Sequence, residues 1–200
     1  MSSTLVKSET ELRQTYEQPK ETTLKLKLKK LDKHGRRFIS LSPFLVLATD
    51  GDASPKGDAP GFVKVVDDTT LLIPDRAGNN KLDTLKNILA HPAIGIIFFI
   101  PGFNETFRVN GTARITMDPA ELEPLAVQGK TPKSGILVDI EEAYLHCGKA
   151  LIRSKLWATS SIVARDAMPT MGQMVADQVS GVDADETEAG YQDALETRLY

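Results

Sequence analysis

Six strand-like segments follow one another with little between them: 44–49, 56–66, 70–74, 94–100, 106–116 and 135–145. Most are joined by turns or one short helix. A doubly wound parallel sheet would need a crossover helix after nearly every strand. The order therefore predicts a mainly β fold with flanking helices, a six-stranded antiparallel barrel. Phe44-Leu45-Val46-Leu47-Ala48-Thr49 has the texture of a buried strand, and Asp50-Gly51 turns it. Residues 94–100 are apolar on both faces. In 106–116, Phe107, Val109, Gly111, Ala113 and Ile115 share one face.

The helical signals are shorter. Ser8 and Glu11 have capping-box spacing, and Pro19 ends that element or opens the next. Residues 22–34 carry two patterns: Leu24, Leu26 and Leu28 alternate with lysines, while Leu24, Leu28 and Leu31 share a helical face. Lysine favours helix, so a helix is predicted there. Leu82, Leu85, Ile88 and Leu89 mark a helix that stops before Pro92. Asp118-Pro119 reads as an N-cap and first turn for a short helix over 119–126. Residues 148–157 also read as helical. Beyond about 158 the chain turns polar; 183–188 is acidic, and 191–199 is expected to form a last exposed helix.

Several chemistries lack their residues. The net charge of −3 gives no global field to attract nucleic acid or an anionic membrane. Cys147 is the one cysteine, too few for an internal disulfide or a multi-cysteine zinc site. The three histidines, His34, His91 and His146, have no paired spacing, so no metal site is expected. Gly129-Lys130-Thr131 resembles the end of a P-loop, but Pro124 stands where that motif needs glycine. No G-x-G-x-x-G and no Gly-x-Ser-x-Gly occurs. The N-terminal stretch 1–7 has no apolar signal core, and no apolar run approaches the ~20 residues of a membrane helix. A cytoplasmic location is expected.

Two stretches stand out. Ser54-Pro55-Lys56-Gly57-Asp58-Ala59-Pro60-Gly61 is dense in Pro and Gly, so its backbone can approach a flat ligand closely. It can equally be a surface turn with a Lys56–Asp58 ion pair. Pro74-Asp75-Arg76-Ala77-Gly78-Asn79-Asn80-Lys81 leads directly into a helix. Gly78, Asn79 and Asn80 tolerate turn conformations that let backbone N–H groups converge. The helix start adds its positive dipole end, and Arg76 and Lys81 add formal charge. The plainer alternative is a polar loop in which Asn80 caps the helix and both cations are solvated.

Together these stretches, with Phe107-Arg108-Val109-Asn110-Gly111-Thr112-Ala113-Arg114-Ile115 and His146-Cys147-Gly148-Lys149-Ala150-Leu151-Ile152-Arg153-Ser154-Lys155-Leu156-Trp157, resemble the flavin-binding core of the pyridoxamine 5′-phosphate oxidase-like proteins. The nearer likeness is to a bacterial subgroup of FMN-dependent enzymes, and it covers roughly residues 30–175. The resemblance implies a six-stranded split barrel over 36–175, with a helical extension over 1–35 and a tail or helix over 176–200. It implies a homodimer with FMN between subunits. Ser54, Pro55, Lys56, Gly57 and Asp58 would lie along the isoalloxazine ring. Lys81 matches the family's phosphate-binding lysine, with Asn79 and Asn80 beside it. Thr106 would face flavin from the partner subunit, and Arg153 and Trp157 belong to the segment that closes over the site in relatives. The biosynthetic oxidase has an Arg-Lys pair where this chain has Asn80-Lys81, so Arg76 is a candidate for the missing charge. Pyridoxamine phosphate is correspondingly not assigned as substrate.

The implied function is an FMN-dependent oxidoreductase acting on a small molecule, with no general base assigned. The alternatives are a non-catalytic flavin-binding, storage or sensing module, a split barrel using haem or deazaflavin, and a purely structural dimer. Cys147 and His146 are read as a packed thiol and an ordinary histidine, and the lysines of 25–33 as a solvated face.

Overall fold

The computed structural model describes residues 5–200. Residues 1–4, part of the stretch read above for a targeting signal, lie outside the described residues. Three helices, α1 (Glu9–Arg13), α2 (Glu21–Lys25) and α3 (Lys33–Leu41), precede strands β1 (Phe44–Thr49), β2 (Asp52–Gly57), β3 (Lys64–Val65) and β4 (Thr70–Pro74). Then come α4 (Asp83–Ala90), β5 (Ala93–Phe99), β6 (Thr106–Thr116), α5 (Pro119–Leu122) and β7 (Gly135–His146). Helices α6 (Lys149–Ser154), α7 (Met171–Gln178) and α8 (Ala184–Thr197) complete the chain. Among the described residues no helix is long and apolar enough to cross a membrane.

The strands form one antiparallel sheet in the order β2-β1-β5-β6-β7-β4-β3. Its two edge strands are consecutive in the chain, joined by residues 58–63 alone. Laid flat, the edges would stand six strand spacings apart, about 29 Å. The linker, fully extended from Gly57 to Lys64, spans only about 24 Å. The sheet must therefore curl until its edges approach, and because β2 and β3 do not pair, the barrel is left split at that seam. Side chains pointing inward fill it: Leu45, Leu47, Leu71, Ile73, Phe98, Val109, Ile136 and Val138 are fully buried. The inward face of β6 is the one expected, Phe107, Val109, Gly111 and Ala113.

The sheet has seven strands where six were expected, because the predicted segment 56–66 breaks in two. Pro60 has no N–H to give a ladder, and Gly61 sits at φ +81°, where a strand cannot continue. A Cβ at Gly61 would stand 3.0 Å from the Ser40 carbonyl oxygen. The N–H of Asp58 donates to Pro43 O at 3.0 Å and that of Gly61 to Ser42 O at 3.2 Å, so the break is pinned to the end of α3.

The helix predicted over 22–34 is corrected. Helix α2 ends at Lys25; Leu28 then exchanges both backbone bonds with Ala143 of β7, at 3.1 and 2.7 Å. Leu31 donates to Asp68 O at 2.7 Å and is buried in the core. Tertiary pairing overrides the helical preference of the lysines. A new helix starts only at Lys33, where the Asp32 carboxylate accepts from Gly35 N at 2.7 Å. Phe38 of that helix stacks on Phe107 at 5.9 Å between centroids, closing one end of the barrel. The acidic run 183–188 proves to be a helix start: Asp183 caps α8, and Asp185 and Glu186 lie in its first turn, where negative charge meets the positive dipole end. Helix α8 packs against α7 as a hairpin.

Candidate functional site

Strand β2 is an edge strand whose residues alternate between two environments. Ser54, Lys56 and Asp58 point one way, toward the stretch 74–84; Pro55 and Gly57 point the other way and are exposed. Each of the three makes a contact across the seam. Thr84 Oγ1 lies 2.9 Å from Ser54 Oγ, Lys56 Nζ is 3.6 Å from Asp75 Oδ1, and Arg76 Nε donates to Asp58 Oδ2 at 2.6 Å. The two unusual stretches of the sequence are therefore one place in the fold. The local Lys56–Asp58 pair considered above does not form; each partner is taken by the opposite stretch.

Asp58 is the most enclosed of these groups, its side chain only 2% exposed. Its Oδ1 accepts from Ala59 N at 2.6 Å and from the Tyr200 hydroxyl at 2.7 Å. Arg76 also donates to Leu125 O at 2.9 Å and lies 5.6 Å from the Tyr200 ring centroid. Burial pushes the Asp58 carboxyl upward, but the bonds from Tyr200, Ala59 and Arg76 outweigh it and hold the group below the ordinary aspartate value. The Tyr200 hydroxyl is correspondingly pushed up by its bond to Asp58, by burial and by the Asp58 charge. A carboxylate saturated in this way is a structural anion, not a general base.

Because the folded value of Asp58 lies below the unfolded one, its contribution to stability is present above the unfolded value and is lost as pH falls through the folded one. Thermal melts between neutral pH and about pH 3 should show the gap between wild type and Asp58→Asn narrowing in acid. A gap that is constant with pH would mean that this carboxylate does not report the seam.

The loop before α4 has two left-handed residues, Asn80 and Leu82, both at φ 59°. Asn79 Oδ1 accepts from Lys81 N at 3.0 Å, an Asx-type turn. Asn80 does not cap the helix. Leu82 holds the N-cap position and offers no side-chain acceptor, so the first-turn N–H groups of α4 are uncapped by any side chain. Lys81 beside them is 69% exposed and shares Asp83 with Lys86, at 3.2 and 3.4 Å. A Cβ at Gly78 would meet nothing within 4 Å, so the loop is open at that position. Uncapped N–H groups, a dipole end and an exposed lysine suit a phosphate. Arg76, by contrast, is turned away into the Asp58 pair.

Thr106, Arg153 and Trp157 lie outside the β2–α4 cluster. Thr106 is buried at the start of β6, opposite His146. Arg153 is exposed on α6, and Trp157 Nε1 donates to Phe103 O at 2.6 Å, fastening the segment after α6 to the β5–β6 turn. Among the described residues no hydrogen bond or ion pair joins any of the three to the β2–α4 cluster. The outer face of the sheet is partly apolar, with Phe44 and Phe99 6.0 Å apart and Val46 and Ile97 half-buried beside them. On the same face the Arg108 guanidinium lies 5.4 Å from the Tyr144 ring centroid, and its Nε is buried without a partner.

Tyr200, Asp75, Thr84 and the Leu125 carbonyl were not singled out in the sequence. Asp75 was legible as the residue beside Arg76. Tyr200 was not, because it lies 142 residues from Asp58.

The family model for pyridoxamine 5′-phosphate oxidase matches residues 31–147. No curated protein matches the chain. Among solved structures, HupZ of Group A Streptococcus is 18% identical, with 57% of this chain and 93% of that chain covered, at a TM-score of 0.48. An FMN-binding protein of Syntrophomonas wolfei is 10% identical over 56% of this chain and 84% of that one, at 0.43. An FAD-binding protein of Mycobacterium smegmatis is 13% identical over 58% and 96%, at 0.41.

Proposed function

The chain belongs to the pyridoxamine 5′-phosphate oxidase family, and from that premise we propose that it is a flavoprotein binding FMN in a homodimer and oxidising or reducing a small molecule. The observation that carries the reading is the meeting of the exposed β2 edge with the uncapped, basic start of α4. The phosphate would be held by Lys81, by Asn79 and Asn80, and by the first-turn N–H groups of α4. The ring would lie along Ser54 to Asp58, where Gly57 and Pro55 leave the strand's open face low. Ser54 is oriented by Thr84, and Lys56 by Asp75. Pairing through the outer sheet face would cover Phe44, Val46, Ile97 and Phe99. It would bring Thr106 of the partner subunit, with the partner's Arg153 and the partner's Trp157, to the ring. FMN, when bound, supplies hydride and single-electron transfer, and the protein's part is to orient it and exclude water.

Purified protein should show bands near ~370 and ~450 nm, with FMN released by heat and identified by mass. Lys81→Ala removes one charge-assisted contact and should weaken FMN binding about 10- to 100-fold by fluorescence titration, leaving the melting curve of the ligand-free protein unchanged. A colourless protein that takes up no added FMN would sink the reading. Turnover of NADH or NADPH separates an oxidoreductase from a binding module. A native mass near twice 21.9 kDa tests the dimer.

A further inference from the structure

Among the described residues, the hydrogen bonds and ion pairs tying segment 158–200 to the barrel, residues 44–148, all come from Tyr200. Its hydroxyl donates to Asp58 Oδ1 at 2.7 Å, its carbonyl oxygen accepts from Lys130 Nζ at 2.7 Å, and its ring lies 5.6 Å from the Arg76 guanidinium carbon. These three partners come from three separate places: the end of β2, the end of β4, and the turn at 127–130 closed by mutual bonds of Val127 and Lys130. The first lies on one edge of the split barrel and the second at the end of the strand that carries the other edge, β3; between β2 and β3 no ladder of backbone bonds holds the edges together.

We propose, on the flavin reading above, that Tyr200 is a positioning residue for the ligand site: it locks the Asp58–Arg76 pair and so keeps β2 and the 74–84 stretch in register across the seam. The chemistry suits the task. A single aromatic side chain gives Asp58 a hydrogen bond and gives Arg76 a π face, so it touches both members of one ion pair. With Asp58 Oδ1 filled by Ala59 N–H and Tyr200 and Oδ2 by Arg76, the carboxylate has one orientation. The backbone at 56–59, which would lie against the ring, is fixed through it. Among the described residues, the hydrogen bonds that couple the segment carrying the helical hairpin to the site come from Tyr200.

The test compares full-length wild type, Tyr200→Phe and Tyr200→Ala. Hydrogen exchange over 56–62 is read in the ligand-free proteins, and FMN affinity by fluorescence titration. Exchange over 56–62 should rise in Tyr200→Ala and rise less in Tyr200→Phe, which keeps the ring over Arg76, while β6 and β7 stay protected as in wild type. FMN affinity should fall about 10-fold in Tyr200→Ala, the scale of one hydrogen bond to a charged group. Tyr200→Phe made on an Asp58→Ala background should add no further rise in exchange over 56–62, since the hydroxyl acts through that carboxylate. Unchanged exchange over 56–62 in Tyr200→Ala overturns the proposal. A wild type that binds no FMN overturns the flavin reading instead, and the exchange result still decides what Tyr200 does.

Discussion

Asp58→Ala is expected to lower stability by about 3 kcal/mol and to reduce flavin binding to background, the largest effect of any site substitution. The carboxylate is almost wholly enclosed, and three donors converge on it: Arg76 Nε, Ala59 N–H and the Tyr200 hydroxyl. Removing it leaves the Arg76 guanidinium, 16% exposed, with only the Leu125 carbonyl as a hydrogen-bond acceptor. Uncompensated burial of a charge costs more than the pair itself contributes, which is why breaking such a pair is expensive while its net worth is modest. The small remaining exposure of Arg76 lets some water reach it, which places the figure at the lower end of the usual ~3–5 kcal/mol. Asp58→Asn should fall between, because its oxygen still accepts from Ala59 and Tyr200. Urea denaturation reads the stability, and a titration with FMN reads the site. A cost below ~1 kcal/mol, the range of solvated surface pairs, would mean that the seam is held by something other than this pair.

The same residue shows where the sequence runs out. Lys56 and Asp58 are near neighbours in sequence, and a local ion pair was a reasonable expectation. In a strand they lie on one face about 7 Å apart, each looking at whatever packs on that face. What packs there is the end of β4, because 58–63 carries the chain from one sheet edge to the other and folds the seam shut. Strand boundaries depend on local alternation, and for β1, β4 and β6 the limits read from sequence agree with the structure. Seam contacts depend on barrel closure, which no window of sequence contains. Residues 22–34 failed for a related reason: Leu28 and Leu31 fitted a helical face, yet both are consumed by long-range partners, Ala143 and Asp68. The candidate phosphate loop was legible through Gly78, Asn79, Asn80 and Lys81, whereas the role given to Arg76 depends on Asp58 and Tyr200, which only the fold brings to it.

Gly111→Ala should destabilise the fold by about 3 kcal/mol or more although it touches no site residue. Gly111 lies inward at the middle of β6, where the register against β7 shifts: Asn110 opposes Glu142 and Gly111 opposes Ile140, so Glu141 is the extra residue of a bulge. A methyl group at this position would fall on the Asp139 carbonyl oxygen, with Glu141 N at 3.2 Å. Both obstacles are backbone of β7, the longest strand, so neither can yield as the end of a flexible side chain would. To admit the methyl, β7 must lift away from β6, and the ladder bonds on either side of the bulge go with it. Gly78→Ala is the matched control: its added methyl meets nothing within 4 Å, and its stability should stay within ~0.5 kcal/mol of wild type. Chemical denaturation of the two variants side by side distinguishes a packing constraint from a general intolerance of glycine replacement. If Gly111→Ala melts with wild type, β6 and β7 do not approach as closely as described, and the bulge does not set the register that carries Thr106 to the end of the barrel.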